Sequence, residues 1–107
     1  MVFVLRAPNG QILNLDYHLT ASGGTGPTTG FVNTIISSAG ITALSAGVNP
    51  YTGTFKPDLF GPGGGGGFGA GGPTGMLPTA TTWSPLYSVP NGNWTLGFYD
   101  GITGDVG

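Results

Sequence analysis

Apolar and polar side chains alternate along several short stretches of this 107-residue chain. Near its end, Trp94, Leu96 and Phe98 alternate with Thr95, Gly97 and Tyr99, the period of a strand with one face in a core. The same period runs through residues 11–22, the longest stretch free of glycine and proline. There Leu13, Leu15, Tyr17 and Leu19 share one face, and Asn14, Asp16 and His18 share the other. The spacing predicts a strand with a solvated polar face, although the segment is long enough for a helix. Residues 2–7, 31–37, 42–45, 52–56 and 93–99 complete the candidate strands. The run from Met1 to Leu5 reads as a buried strand rather than a signal peptide, because Arg6 follows it and no small-residue cleavage site is present.

Turn chemistry supports the same division. Pro8-Asn9-Gly10 and Pro90-Asn91-Gly92 each adjoin a candidate strand. Proline presets φ, and Asn and Gly tolerate the positive φ that follows. The first turn is expected to close a hairpin between residues 2–7 and the strand after it. Short strands, frequent turns and no helical period indicate an all-β domain, a jelly-roll-like sandwich. Between Lys56 and Asn93 the pattern fails. Residues 61–75 are a low-complexity, glycine-rich run, and residues 76–89 show no clear period. The expectation is a long surface loop between two strands, pinned by Phe68, Met76, Trp83 and Tyr87.

Composition narrows the possible functions. The length suits one domain over residues 1–107. Arg6 and Lys56 are the only Lys or Arg residues, too few for a phosphate-tracking patch, which argues against nucleic-acid binding. Only 6% of residues are charged, with a net charge of −2. The expected surface is therefore one of Thr, Ser, Asn and Gly, as in secreted β proteins. There is no cysteine, hence no disulfide framework. No segment reaches the roughly 18 consecutive apolar residues of a membrane span.

Candidate chemistry is sparse. Gly67-Phe-Gly69-Ala-Gly-Gly72 fits G-x-G-x-x-G formally. It lacks the preceding strand, the following helix and the acid about 20 residues on that a dinucleotide site needs. One polyglycine run is also too few for stacked polyglycine helices. His18 is the single histidine; Asp16 shares its face, but no serine stands in a nucleophile-elbow context. A solvated histidine is the expectation, and an enzyme is not expected. Asn93-Trp94-Thr95 is a formal glycosylation sequon of little weight inside a predicted strand. Asp100 and Asp105 bracket a tight Gly-rich loop. With Thr103 and intervening carbonyls they offer the oxygen ligands calcium prefers; the alternative is a turn whose Asp side chains accept local N–H bonds.

Four segments carry a resemblance, in this order: Val2-Phe-Val-Leu-Arg-Ala-Pro-Asn-Gly10, Tyr51-Thr-Gly-Thr-Phe-Lys-Pro57, Asn91-Gly-Asn-Trp-Thr-Leu96 and Tyr99-Asp-Gly-Ile-Thr-Gly-Asp-Val-Gly107. Together they resemble the P domain of proprotein convertases, above all the divergent P-domain-like modules of bacterial secreted and surface proteins. The Gly-rich insertion is not a feature of the convertase version. The resemblance implies a jelly-roll-like (galactose-binding-like) β-sandwich that is not itself catalytic and that binds calcium in places, with Asp100 and Asp105 at matching positions. It implies an extracellular accessory module that stabilises or targets a larger protein. The family pattern begins earlier than Met1 and continues with a further strand after Gly107. The chain is therefore expected to be a piece of a longer polypeptide, or to receive its missing strands from neighbouring domains or adjacent subunits. A second expectation is a structural unit of a surface fibre or adhesin, joined by exchanged strands.

Overall fold

The computed structural model describes residues 2–17, 30–48, 50–58 and 76–99. Five strands lie in them: β1 (Val2–Arg6), β2 (Ile12–Tyr17), β3 (Thr34–Ile36), β4 (Gly53–Phe55) and β5 (Thr95–Tyr99). Two short 3-10 turns, Leu44–Ala46 and Ser84–Tyr87, stand before β4 and β5. The fold is mostly strand, as the alternation indicates. A three-stranded antiparallel sheet has the order β2-β1-β5, and β3 pairs with β4 in parallel.

The first Pro-Asn-Gly turn closes the β1–β2 hairpin. The Ala7 amide donates to the Gln11 carbonyl at 2.9 Å, and the Gly10 amide to the Ala7 carbonyl at 2.9 Å. Hairpin closure leaves β1 central, with β2 and β5 on its two sides. The outer edge of β2 is then covered by two distant segments. The Thr79 and Ala80 amides both donate to the Ile12 carbonyl, and the Asp58 amide donates to that of Leu15. The Thr79 hydroxyl accepts from the Ile12 amide at 2.8 Å.

Phe3, Ala7, Leu13 and Leu15 of this sheet pack with Leu44, Tyr51, Phe55, Ala80 and Leu86 in one core. Leu86, fully buried, comes from the stretch with no sequence period. Packing from a 3-10 turn needs only one residue facing inward, so no repeating signal marks it. Met76 is buried and Trp83 packs on the core, as expected of loop anchors, whereas Tyr87 is exposed. The expected strand over 42–45 is instead the first 3-10 turn, next to a single bridge from Ala43 to Lys56.

Two expectations about the faces fail. Asn14 and Asp16 are not solvated: both are fully buried. The β1–β2 register shifts between Phe3 and Val4, so that Phe3 opposes Asp16 while Val4 opposes Asn14. Directly paired residues share a face, and neighbours along a strand point oppositely. The bulge thus sends Asp16 to the Phe3 side and Asn14 to the Val4 side. Period-two reading assigns both to one face because it cannot see an inserted residue. The second failure concerns Trp94, Leu96 and Phe98, which are exposed rather than buried. Among the described strands β5 lies at the end of the sheet order, and the core that buries Phe3 covers its face only in part. His18, Phe68 and the Gly-rich run 61–75 lie outside the described residues.

Candidate functional site

The two Pro-Asn-Gly turns, 82 positions apart in sequence, meet in space and set the entry to β5. A Cβ built on Gly92 would stand 2.9 Å from the Pro8 Cβ, so the second turn rests directly on the first. The Asn9 Nδ2 donates to the Pro85 carbonyl at 2.8 Å and to the Ser88 Oγ at 2.7 Å, tying the hairpin to the second 3-10 turn. The Trp94 Nε1 donates to the Pro90 carbonyl at 3.0 Å, which closes the last turn before β5. Asn93 of the sequon is exposed and precedes the strand.

β1 and β5 are in uninterrupted antiparallel register, with Phe3 opposite Phe98 and Leu5 opposite Leu96. All four therefore share one face. That face is covered at Phe3, which is 7% exposed, and open at Leu96 and Phe98, which are 49% and 61% exposed. Aromatic rings continue along it. Phe98 meets Phe3 edge to face at 5.2 Å, Phe3 meets Phe31 at 5.4 Å, and Phe31 meets Tyr51 at 5.6 Å. The row surfaces at Phe98 and Phe31 and is anchored in the core by Tyr51.

Polar groups gather at the anchored end. Burial first, then the charges of Asp16 and Asp58, raise the Tyr51 hydroxyl above its ordinary pKa of 10.0. It is therefore a neutral group at physiological pH. Tyr51 also adopts a positive φ of 48°, which is costly for a bulky side chain. The Thr34 hydroxyl donates to its carbonyl and helps hold that conformation. Asp58 Oδ1 accepts from the Ser45 amide at 3.0 Å and from its hydroxyl at 2.8 Å. This pair braces the first 3-10 turn against the chain leaving β4. Sequence pattern offers no signal for the Tyr51, Asp16 and Asp58 grouping, which depends on the bulge and on contacts between segments.

Among the described residues no three His, Cys, Asp or Glu side chains converge as metal ligands. Asp100, Thr103 and Asp105, the expected calcium ligands, lie outside the described residues, as does the Gly67–Gly72 motif. No helix in the described residues is long and apolar enough to cross a membrane. No protein-family model, curated protein or solved structure matches the chain. The open apolar face of β5 is the feature of the described surface best suited to binding.

Proposed function

We propose that the chain is a non-catalytic extracellular accessory module of a larger secreted or surface-attached protein, built on a jelly-roll-like sandwich, and that β5 accepts a strand from a neighbouring segment. One observation carries the reading: Leu96 and Phe98 continue the face on which β1 buries Phe3, yet are 49% and 61% exposed. Covering the part of each side chain still exposed would contribute about 1 kcal/mol apiece, and the main-chain hydrogen bonds of an added strand would supply further affinity. Edge strands that must stay unpaired are guarded by Lys, Pro, bulges or inward charges. β5 has none of these, and no charged residue occurs between positions 59 and 99. An uncharged extended segment is the matching partner, through strand addition. The resemblance to P-domain modules supports the same role.

A peptide patterned on β1 with its arginine replaced (Val-Phe-Val-Leu-Ala) tests the docking edge, since it is uncharged and its parent sequence is extended in the fold. Bound peptide should slow hydrogen exchange at Thr95–Tyr99, and Phe98→Lys should abolish the effect. Exchange in β5 that is already as slow as in β1, with no response to peptide, would overturn the reading. The same uncharged edge, centred on Gly97, also suits pairing between copies. A molecular mass that rises with concentration in sedimentation would favour a structural unit of a surface fibre or adhesin. A monomer that still binds the peptide would favour the accessory module.

A further inference from the structure

The two Pro-Asn-Gly turns share a sequence but differ in what holds them. At the first, every group needed for intramolecular attack is engaged. Asn9 Nδ2 donates twice, to Pro85 and Ser88, and Oδ1 accepts from the Gln11 amide at 3.0 Å. The Gly10 nitrogen itself donates to the Ala7 carbonyl. At the second turn Asn91 is exposed, and among the described residues neither its side chain nor the Gly92 amide makes a hydrogen bond.

We propose that Asn91 is a site of spontaneous deamidation and that the fold protects Asn9 from the same reaction. The Gly92 backbone nitrogen attacks the Asn91 Cγ, and the bond from Cγ to Nδ2 breaks. The amide proton passes to the departing nitrogen, which leaves as ammonia, and a five-membered succinimide remains. Water then adds to either ring carbonyl and opens the ring to aspartate or isoaspartate. Water is the only co-reactant.

Glycine after asparagine favours the attack because no Cβ obstructs it. Position 92 is confined to glycine by the fold: its φ is +137°, and a Cβ would collide with Pro8. The labile pair is thus a by-product of seating one turn on the other. Reaction places a carboxylate in the uncharged span 59–99 and makes the net charge of −2 one unit more negative. The isoaspartate product also inserts a methylene into the main chain just before β5.

The test is peptide mapping by mass spectrometry after incubating the folded chain at mildly alkaline pH. The Asn91 peptide should gain one mass unit at least about tenfold faster than the Asn9 peptide, because ring closure at Asn9 must first break several hydrogen bonds. In concentrated urea the two rates should converge. Ser88→Ala, which removes one partner of Asn9, should raise the Asn9 rate in the folded chain. Equal rates in the folded chain would overturn the proposal. So would a ratio that persists unchanged in urea, since the fold would then not be its cause.

Discussion

Phe3 and Phe98 meet edge to face at 5.2 Å across the β1–β5 pair, the first buried and the second 61% exposed. The same ring type on the same face therefore serves two purposes. Phe3→Ala should cost about 3–5 kcal/mol, the range for a buried phenylalanine. Phe98→Ala should cost no more than about 1.5 kcal/mol, chiefly the ring pair, while removing peptide binding at β5. Urea unfolding of both variants, paired with the hydrogen-exchange assay, separates the stability role from the docking role.

Asn14 is fully buried, and among the described residues neither its Oδ1 nor its Nδ2 has a hydrogen-bond partner. A buried amide without partners costs about 1–3 kcal/mol. Asn14→Leu keeps the branched side-chain shape, with somewhat bulkier terminal groups, and removes the polar atoms. It should leave stability unchanged or raise it by roughly that amount, seen as a higher urea midpoint with an unchanged slope. A loss of stability would mean that the amide has a polar role in the fold.

Gly40 lies against the end of β4. A Cβ there would fall 2.1 Å from the Phe55 carbonyl carbon and the Lys56 nitrogen. Backbone atoms cannot swing aside as a side chain can, so Gly40→Ala must displace the 37–44 segment. That segment is bonded to Phe55 of β4 through Ser37 and to the following Lys56 through Thr42 and Leu44. The expected loss is about 1–3 kcal/mol, measurable as a lowered Tm.

Tyr51 contributes to the dependence of stability on pH in the alkaline range. Its folded pKa lies above the unfolded value of 10.0, so above pH 10 the unfolded chain loses a proton that the folded chain keeps. Stability contributed by the neutral hydroxyl is complete below pH 10 and is lost as pH rises through the folded value. In Tyr51→Phe the slope of Tm against pH above 10 should flatten. An unchanged slope would assign alkaline unfolding to other groups.

Leu86→Ala should cost about 2–5 kcal/mol, the range for a fully buried leucine. Leu77→Ala should cost little, because Leu77 is exposed. Thermal melts of the two variants test whether one residue of the aperiodic 76–89 stretch anchors it.

Local sequence determined the strands and the turn that joins the first two. Alternation at Leu13 and Leu15, and at Leu96 and Phe98, is a property of neighbours in the chain, and Pro8-Asn9-Gly10 carries its own backbone preference. Tertiary structure alone decided which alternating residues are buried. Leu5 and Leu96 look equivalent as sequence, but among the described strands β1 is central and β5 is at the end of the order. Asn14 and Asp16 look like solvent positions, but a bulge turns them to opposite faces and remote segments close over the strand. Leu86 and the Tyr51, Asp16 and Asp58 grouping have no local signature. The physical reason is that pattern encodes the direction of a side chain along its own strand, whereas burial depends on what other segments pack there.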